Sequence, residues 1–292
     1  MKKRGERPIK GLLFFFAFLA LIILSLIFIF LVREALPIFW VVSPFDFLAG
    51  VEWAPASFTD PSYGILPLIS GTLLVVLTAT LIAVPIGIAC AIYLAEVADS
   101  RLKELLKPLL EILAGIPSVV YGFIALVFLS GIVHNVFNTT YRLNALNGGL
   151  ILALMILPTI ITISEDAIDS VPRDYREASL AMGATKWETI RRITLPASKS
   201  GITVGVMLGL GRAVGETMAV MMATGNSPVI TFDILRSIQT MTATIAIEMG
   251  EVVLGSPHYH ALFAVGLILF LITFAINLVA DVAVNRLGVK RR

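Results

Sequence analysis

The sequence predicts an all-α, polytopic membrane protein with six transmembrane helices, and three observations carry that prediction. Hydrophobic residues make up 58% of the 292 positions and charged residues only 14%, with a mean hydropathy of +0.93. A soluble domain carries roughly a quarter charged residues, so this chain could not cover a water-exposed surface. Second, six apolar stretches meet the length of ~20 residues that a helix needs to cross a hydrocarbon core of ~30 Å. Third, lysine and arginine fall almost entirely in alternate connections, as the positive-inside rule requires.

The first stretch, 11–32, follows the charged start MKKRGERPIK. At 22 residues it exceeds the ~7–15 of a signal-peptide core, and no small-residue cleavage site follows, so retention as a first transmembrane helix is expected. The second, about 65–95, is long enough to tilt, with Pro85 and Gly87 expected to bend it. The third, about 109–133, contains GIPSVVYG, and the fourth, about 147–163, contains Pro158. The fifth and sixth are expected at about 201–224 and 261–284.

Orientation follows from the connections. The N-terminus holds Lys2, Lys3, Arg4, Arg7 and Lys10, and the second-to-third connection Arg101, Lys103 and Lys107. The fourth-to-fifth connection holds Arg173, Arg176, Lys186, Arg191, Arg192 and Lys199, and the C-terminus Arg286, Lys290, Arg291 and Arg292. The other side has Arg33, Arg142 and Arg236, while Arg212 lies within a span. Both termini are therefore expected in the cytoplasm, which requires an even number of spans. The expected organisation is a first helix and outer loop (1–64), a transmembrane domain (65–285) and a basic tail (286–292). Aromatic residues of the first outer loop (Phe39, Trp40, Phe45, Phe47 and Trp53) suit a membrane interface.

Several classes are excluded. A net charge of +2 gives no footprint for nucleic acid. The single cysteine, Cys90, can form no internal disulfide and reads as a small hydrophobe. No metal-finger spacing occurs. No connection is long enough for a nucleotide-binding domain and no GxxxxGK[ST] loop exists, so if ATP powers this protein another chain binds it and its magnesium. His258 and His260, two residues apart in SPHYH, share no helix face, and neither HExxH nor GxSxG accompanies them. They are expected in a loop or interface; no catalytic residue and no metal ligand is assigned.

The connection reading EASLAMGATKWETIRRITLP carries the most information. Pro172 stands near the start of one helical run and Gly183 can take the left-handed conformation that ends it. Thr185 opens a second helix, with Glu188 placed to complete a capping box. Pro196 stops or kinks the chain as it re-enters the membrane. Ala178, Ser179, Ala181 and Gly183 permit close approach, while Tyr175, Leu180, Met182 and Trp187 offer apolar anchors. Such a helix either inserts into a groove on a soluble partner or lies among lipid headgroups.

Arg212 and Glu216, in GLGRAVGETMAV, sit inside the fifth span. A charge at bilayer centre costs at least ~2.5–3.5 kcal/mol, so each must face protein or water. Their i, i+4 spacing would place both on one helix face, close enough to pair, with Gly209, Gly211 and Gly215 thinning the helix beside them. Arg212 presents a fork of donors suited to a tetrahedral oxyanion; the other reading is a structural ion pair. Glu165 and Asp166, at the end of the fourth span, are expected at the interface.

Residues Glu177, Ala178, Ser179, Gly183, Ile193, Leu195 and Pro196 resemble the pattern E-A-A-x3-G-x9-I-x-L-P of ABC importer permeases, with serine in place of the third residue's alanine. The resemblance implies the type I ABC importer permease fold and makes this loop the coupling helix that docks into an ATPase subunit. GRAVGET, GIPSVVYG and ISGTLLVVLTATLIAVPIGIACAIYLAE resemble the membrane subunits of the phosphate ABC importer. PFDFLAGVEWAP followed by YGILPLISGTL is similar to its C-type (PstC-like) subunit. The resemblance covers about 43–285. It implies an inner-membrane permease that pairs with an A-type permease, two ATPase subunits and an extracytoplasmic phosphate-binding protein. Carried over, Arg212 and Glu216 are implicated in phosphate passage, with Thr217 beside them. A permease for molybdate, sulfate or phosphonate, an intramembrane enzyme and a non-transporting scaffold are the other readings.

Overall fold

Polar and proline residues decide where the long apolar stretches begin and end. The computed structural model describes residues 6–57 and 59–287; the basic positions 2–4 and 290–292 lie outside that range. Helix α1 (Glu6–Ala35) runs into a 3₁₀ turn at Leu36–Trp40. Ser43 then accepts the Asp46 N–H at 3.1 Å and caps a short helix, α2 (Pro44–Ala49). A two-stranded antiparallel ribbon follows, β1 (Trp53–Ala54) and β2 (Ser62–Tyr63), with Trp53 opposite Tyr63. Helix α3 (Leu66–Ile92) continues through a π-helical turn at Tyr93–Val97. Asp99, which accepts the Leu102 N–H, caps an amphipathic helix, α4 (Ser100–Gly115), none of whose residues is buried.

The third span begins only after Pro117. Helices α5 (Ser118–Ile124) and α6 (Ser130–Phe137) join through a π turn at Ala125–Leu129. Helix α7 (Ala145–Asp169) is capped by Asn144. Beyond it lie α8 (Arg173–Ala181) and α9 (Lys186–Thr189). A π turn at Ile190–Thr194 then leads into α10 (Leu195–Gly215). Helices α11 (Met218–Ala223) and α12 (Met241–Glu248) are short, and α13 (Pro257–Leu287) closes the chain.

Among the described residues, six helices are long and apolar enough to cross a membrane. Their packing is uneven. Of the most apolar window of α7, 67% is buried within the protein, against 0% for that of α1. Helix α7 is thus the axis on which α3 and α10 both pack, and small residues set the spacing. A Cβ on Gly87 of α3 would stand 2.8 Å from Cγ2 of Ile160, and one on Gly209 of α10 would stand 2.8 Å from its Cγ1. Gly205 meets Ser164 and Ile163, and Gly201 meets Ala167. Gly201, Gly205 and Gly209 therefore form a small-xxx-small stripe that lets two backbones approach in a solvent where apolar burial supplies little drive. Helix α1 touches the body mainly through α13, with the Phe28–Phe270 rings 5.4 Å apart and Phe30–Phe263 5.6 Å apart.

Four expectations need correction. The third span does not begin near residue 109: Gly115 and Pro117 break the apolar run, because proline lacks an N–H and pushes its predecessor to extended backbone, and Ile116 has φ −63°, ψ 128°. Phe47 and Trp53 do not line a membrane interface; both are buried, against Ile38, Tyr63 and Ile65. The glycines that thin α10 against its neighbour are 201, 205 and 209, whereas Gly215 has open space around it. Finally, Pro196 does not stop the chain: it occupies the first turn of α10, where its missing N–H costs nothing, and the π turn before it keeps Lys186–Gly215 one continuous span.

Candidate functional site

The fifth span breaks where a transmembrane helix was expected to run on. Helix α10 ends at Gly215, and Glu216 takes extended backbone at φ −70°, ψ 130°. The chain restarts as α11 two residues later. Glu216 is held at both ends of its residue. Its carbonyl accepts the Thr242 hydroxyl at 2.8 Å, and its Oε1 accepts the Ala219 N–H at 3.1 Å, satisfying an orphan donor of α11. The Thr217 hydroxyl donates to the Gly215 carbonyl at 3.3 Å. Non-helical backbone at membrane depth is tolerated only where it is buried in protein or lines a water-filled cavity.

This break separates Arg212 from Glu216, correcting the expected pair. The i, i+4 rule holds only along unbroken helix, and here the second residue has left it. Among the described residues Arg212 forms no ion pair and no hydrogen bond, and it is half-buried in the last turn of α10. A cation there is favoured by the helix C-terminal carbonyls, and its fork of donors remains free. Arg212, Glu216 and Thr217 are thus brought to one break, with the carboxylate engaged in capping and the guanidinium open. The segment after α11 is tied to the start of α7: Asn147 Nδ2 donates to the Ala223 carbonyl at 2.9 Å, and Leu146 N–H to Ile234 O at 2.7 Å.

The second feature is the loop between α7 and α10. Pro172 precedes α8, Gly183 has φ +84°, and Thr185 with Glu188 forms a reciprocal capping box. The Glu188 N–H donates to Thr185 Oγ1 at 3.3 Å, and the Thr185 N–H donates to Glu188 Oε2 at 2.9 Å. Only glycine adopts that left-handed angle freely. Nothing lies within 4 Å of where its Cβ would be. Gly183 faces instead an open groove of about 710 Å³ shared with Tyr175, Ala178, Met182, Glu188 and Arg192. Met182 is 88% exposed, and Tyr175, Leu180 and Trp187 are exposed with it. Glu177 and Ala178 lie on the exposed surface, and Ser179 is half-buried, its hydroxyl 2.9 Å from that of Thr189. Ile193, half-buried, also lines the groove, while Leu195 is half-buried beyond it and Pro196 is exposed.

Sequence reasoning missed the polar seam beneath this loop. Near the end of α7, Glu165 is buried: its side chain is 1% exposed and its Oε2 lies 2.7 Å from Lys107 Nζ of α4. Contact with the Glu165 carboxylate holds the Lys107 ammonium above the ordinary lysine range. Arg176 pairs with Glu96 at 2.9 Å. On the opposite side Glu248 accepts from Trp53 Nε1 at 3.0 Å and lies 2.7 Å from His258 Nε2, while His260 Nδ1 meets the Glu34 carbonyl at 2.7 Å. Each of these pairs joins residues far apart in the chain or on different helices, where no local spacing rule applies.

Residues 83–292 match the family of binding-protein-dependent transport system inner membrane components. The chain belongs to that family. Among its relatives are the probable ABC transporter permease protein YqgH of Bacillus subtilis, 42% identical over 80% of this chain and 75% of the relative. The phosphate transport system permease protein PstC of Mesorhizobium japonicum is 39% identical over 84% of this chain and 80% of the relative. PstC 1 of Mycobacterium tuberculosis is 37% identical over 83% and 82%. In fold, this family member resembles a bacterial alginate ABC transporter (TM-score 0.66, 17% identity, 98% of each chain). It also resembles the inward-facing MetNI methionine ABC transporter (TM-score 0.57, 19% identity, 77% of this chain and 95% of the other). The chain has the type I ABC importer permease fold and is a multi-pass membrane permease.

Proposed function

We propose that this permease is a C-type subunit of an ATP-driven phosphate importer, forming half of the translocation path. The observation that carries the reading is the break at Glu216, which leaves Arg212 with an unengaged fork of donors at the end of a transmembrane helix. A guanidinium matches two oxygens of a tetrahedral anion at once. One such contact is strong enough to admit the anion and weak enough to release it. Thr217 adds a hydroxyl at the same break, and Glu216 fixes the backbone there. The phosphate names of the relatives point to the same cargo.

The loop 172–196 is the coupling element on this reading, placed in the cytoplasm together with both termini. Glu177, Ala178, Ser179 and Gly183 present the docking face, and Ile193, Leu195 and Pro196 lead its motion into α10. A separate ATPase subunit, present twice, binds ATP and magnesium. An A-type permease supplies the other half of the path, and an extracytoplasmic binding protein delivers phosphate.

The test is reconstitution of the four kinds of subunit in liposomes with radiolabelled phosphate. ATP-dependent uptake that unlabelled phosphate abolishes, and that molybdate, sulfate or a phosphonate does not, is expected. Uptake competed better by one of those other anions would reassign the cargo. Normal phosphate uptake by Arg212→Ala, at unchanged protein level, would remove Arg212 from the path.

A further inference from the structure

Helix α8 has no buried residue, so no apolar core fixes where it sits against the membrane body. Its position rests on polar bonds, and one side chain makes most of them. Arg176 is only 19% exposed. Its Nε donates to Glu96 Oε1 at 2.9 Å, its Nη1 to the Val171 carbonyl at 2.9 Å and its Nη2 to the Ile168 carbonyl at 2.7 Å. Ile168 belongs to the last turn of α7, where a cation is favoured, and Val171 lies just beyond it; the Ile168 carbonyl also accepts the Val171 N–H at 3.2 Å. The carboxylate belongs to the π turn that ends the second span, and is itself 10% exposed. Three donors in a rigid fork thus reach two transmembrane helices from a third element, which a lysine could not do.

The geometry points to Arg176 and Glu96 as the joint through which movement of the 172–196 loop is transmitted to the second span. The inference rests on the coupling role proposed above for that loop. The other end of the loop reaches the fifth span by covalent continuity through α9 and by the Ser179–Thr189 contact. The second span has no such continuity with α8. Without the joint, displacement of α8 would carry α10 and leave α3 behind. With it, α3 and α10, which both pack on α7 at Ile160, are driven together. Arg176 is therefore a positioning residue: its fork faces inward to Glu96 and the end of α7, while the groove presented to a partner is lined by Tyr175, Met182 and Gly183.

The joint is tested in the complete reconstituted complex, with ATP hydrolysis and phosphate uptake measured on the same vesicles. Glu96→Gln is the main variant, because it lies on the second span, away from the docking groove. It is expected to assemble with its partners and hydrolyse ATP at nearly the normal rate, while phosphate imported per ATP falls about tenfold. Arg176→Ala is expected to do the same, and Arg176→Lys to lose less. A Glu96→Cys, Arg176→Cys double variant, built on Cys90→Ala, should be uncoupled until a short bis-thiosulfonate bridges the two thiols, and then recover. A normal ratio in Glu96→Gln overturns the joint. So does an Arg176→Ala defect that neither Glu96→Gln reproduces nor the bridge repairs. Failure of the wild-type complex to import phosphate would sink the cargo reading alone; the same ratio, measured with the anion it does carry, would still decide the joint.

Discussion

The two ends of the Lys186–Gly215 span are built on opposite plans. At its basic-side end, charged side chains are spent on one another. Lys107 meets Glu165, Arg176 meets Glu96, and Thr185 and Glu188 cap each other. At its other end the helix stops at Gly215, Glu216 is engaged by backbone and Thr242, and Arg212 is left open. Closed polar groups make a part that holds its shape under load. An open one makes a part that can take a guest. The difference separates a mechanical end from a chemical end on one helix, and the two can be broken independently.

The largest effect is expected at the chemical end. Arg212→Ala should lower phosphate uptake roughly ten- to hundredfold, the loss expected for charge-assisted hydrogen bonds worth about 1.5–3 kcal/mol, while ATPase assembly measured by co-purification stays intact. Next comes the mechanical end. Gly183→Asp forces a side chain onto a φ of +84° and into the open groove, so ATPase subunits should co-purify several-fold less well although the permease still reaches the membrane. Gly205→Leu drives a side chain into Ser164 and Ile163. It should destabilise the fold by about 1–3 kcal/mol, read as a lower Tm in detergent. The smallest effect is expected from Thr242→Val. It removes the hydroxyl that donates to the Glu216 carbonyl at a cost of about 1 kcal/mol, and should weaken phosphate uptake modestly without touching ATPase binding. If Thr242→Val matched Arg212→Ala, the break would matter more than the cation beside it.

The same division governs what could be read from residues in order. The spans were legible because apolar length is a local property, and so was the loop 172–196. A glycine at φ +84° and a capping box four residues wide are written in neighbouring positions. The break at Glu216 was not legible. Nothing in GRAVGET forbids helix, and the reason to leave it comes from Thr242, which waits 26 positions further on. The expected Arg212–Glu216 pair failed for that reason. The Ile116 break was legible in principle, since Pro117 announces it, but the apolar run on both sides masked the signal. The Arg176–Glu96 joint spans 80 positions, and only the packing of the second and fourth spans makes it.

Helix α1 stands apart from both plans. At 30 residues it is about 45 Å long, half again the ~30 Å of hydrocarbon it must cross. Its most apolar window is 0% buried, and the Phe28 and Phe30 contacts with α13 are its main ties to the body. The rest of the chain leaves nearly its whole circumference uncovered. A thicker or thinner bilayer is then met by tilting this one helix, while the glycine-spaced packing of α3, α7 and α10 keeps its register. The chain thus separates the part that follows the membrane from the part that works across it.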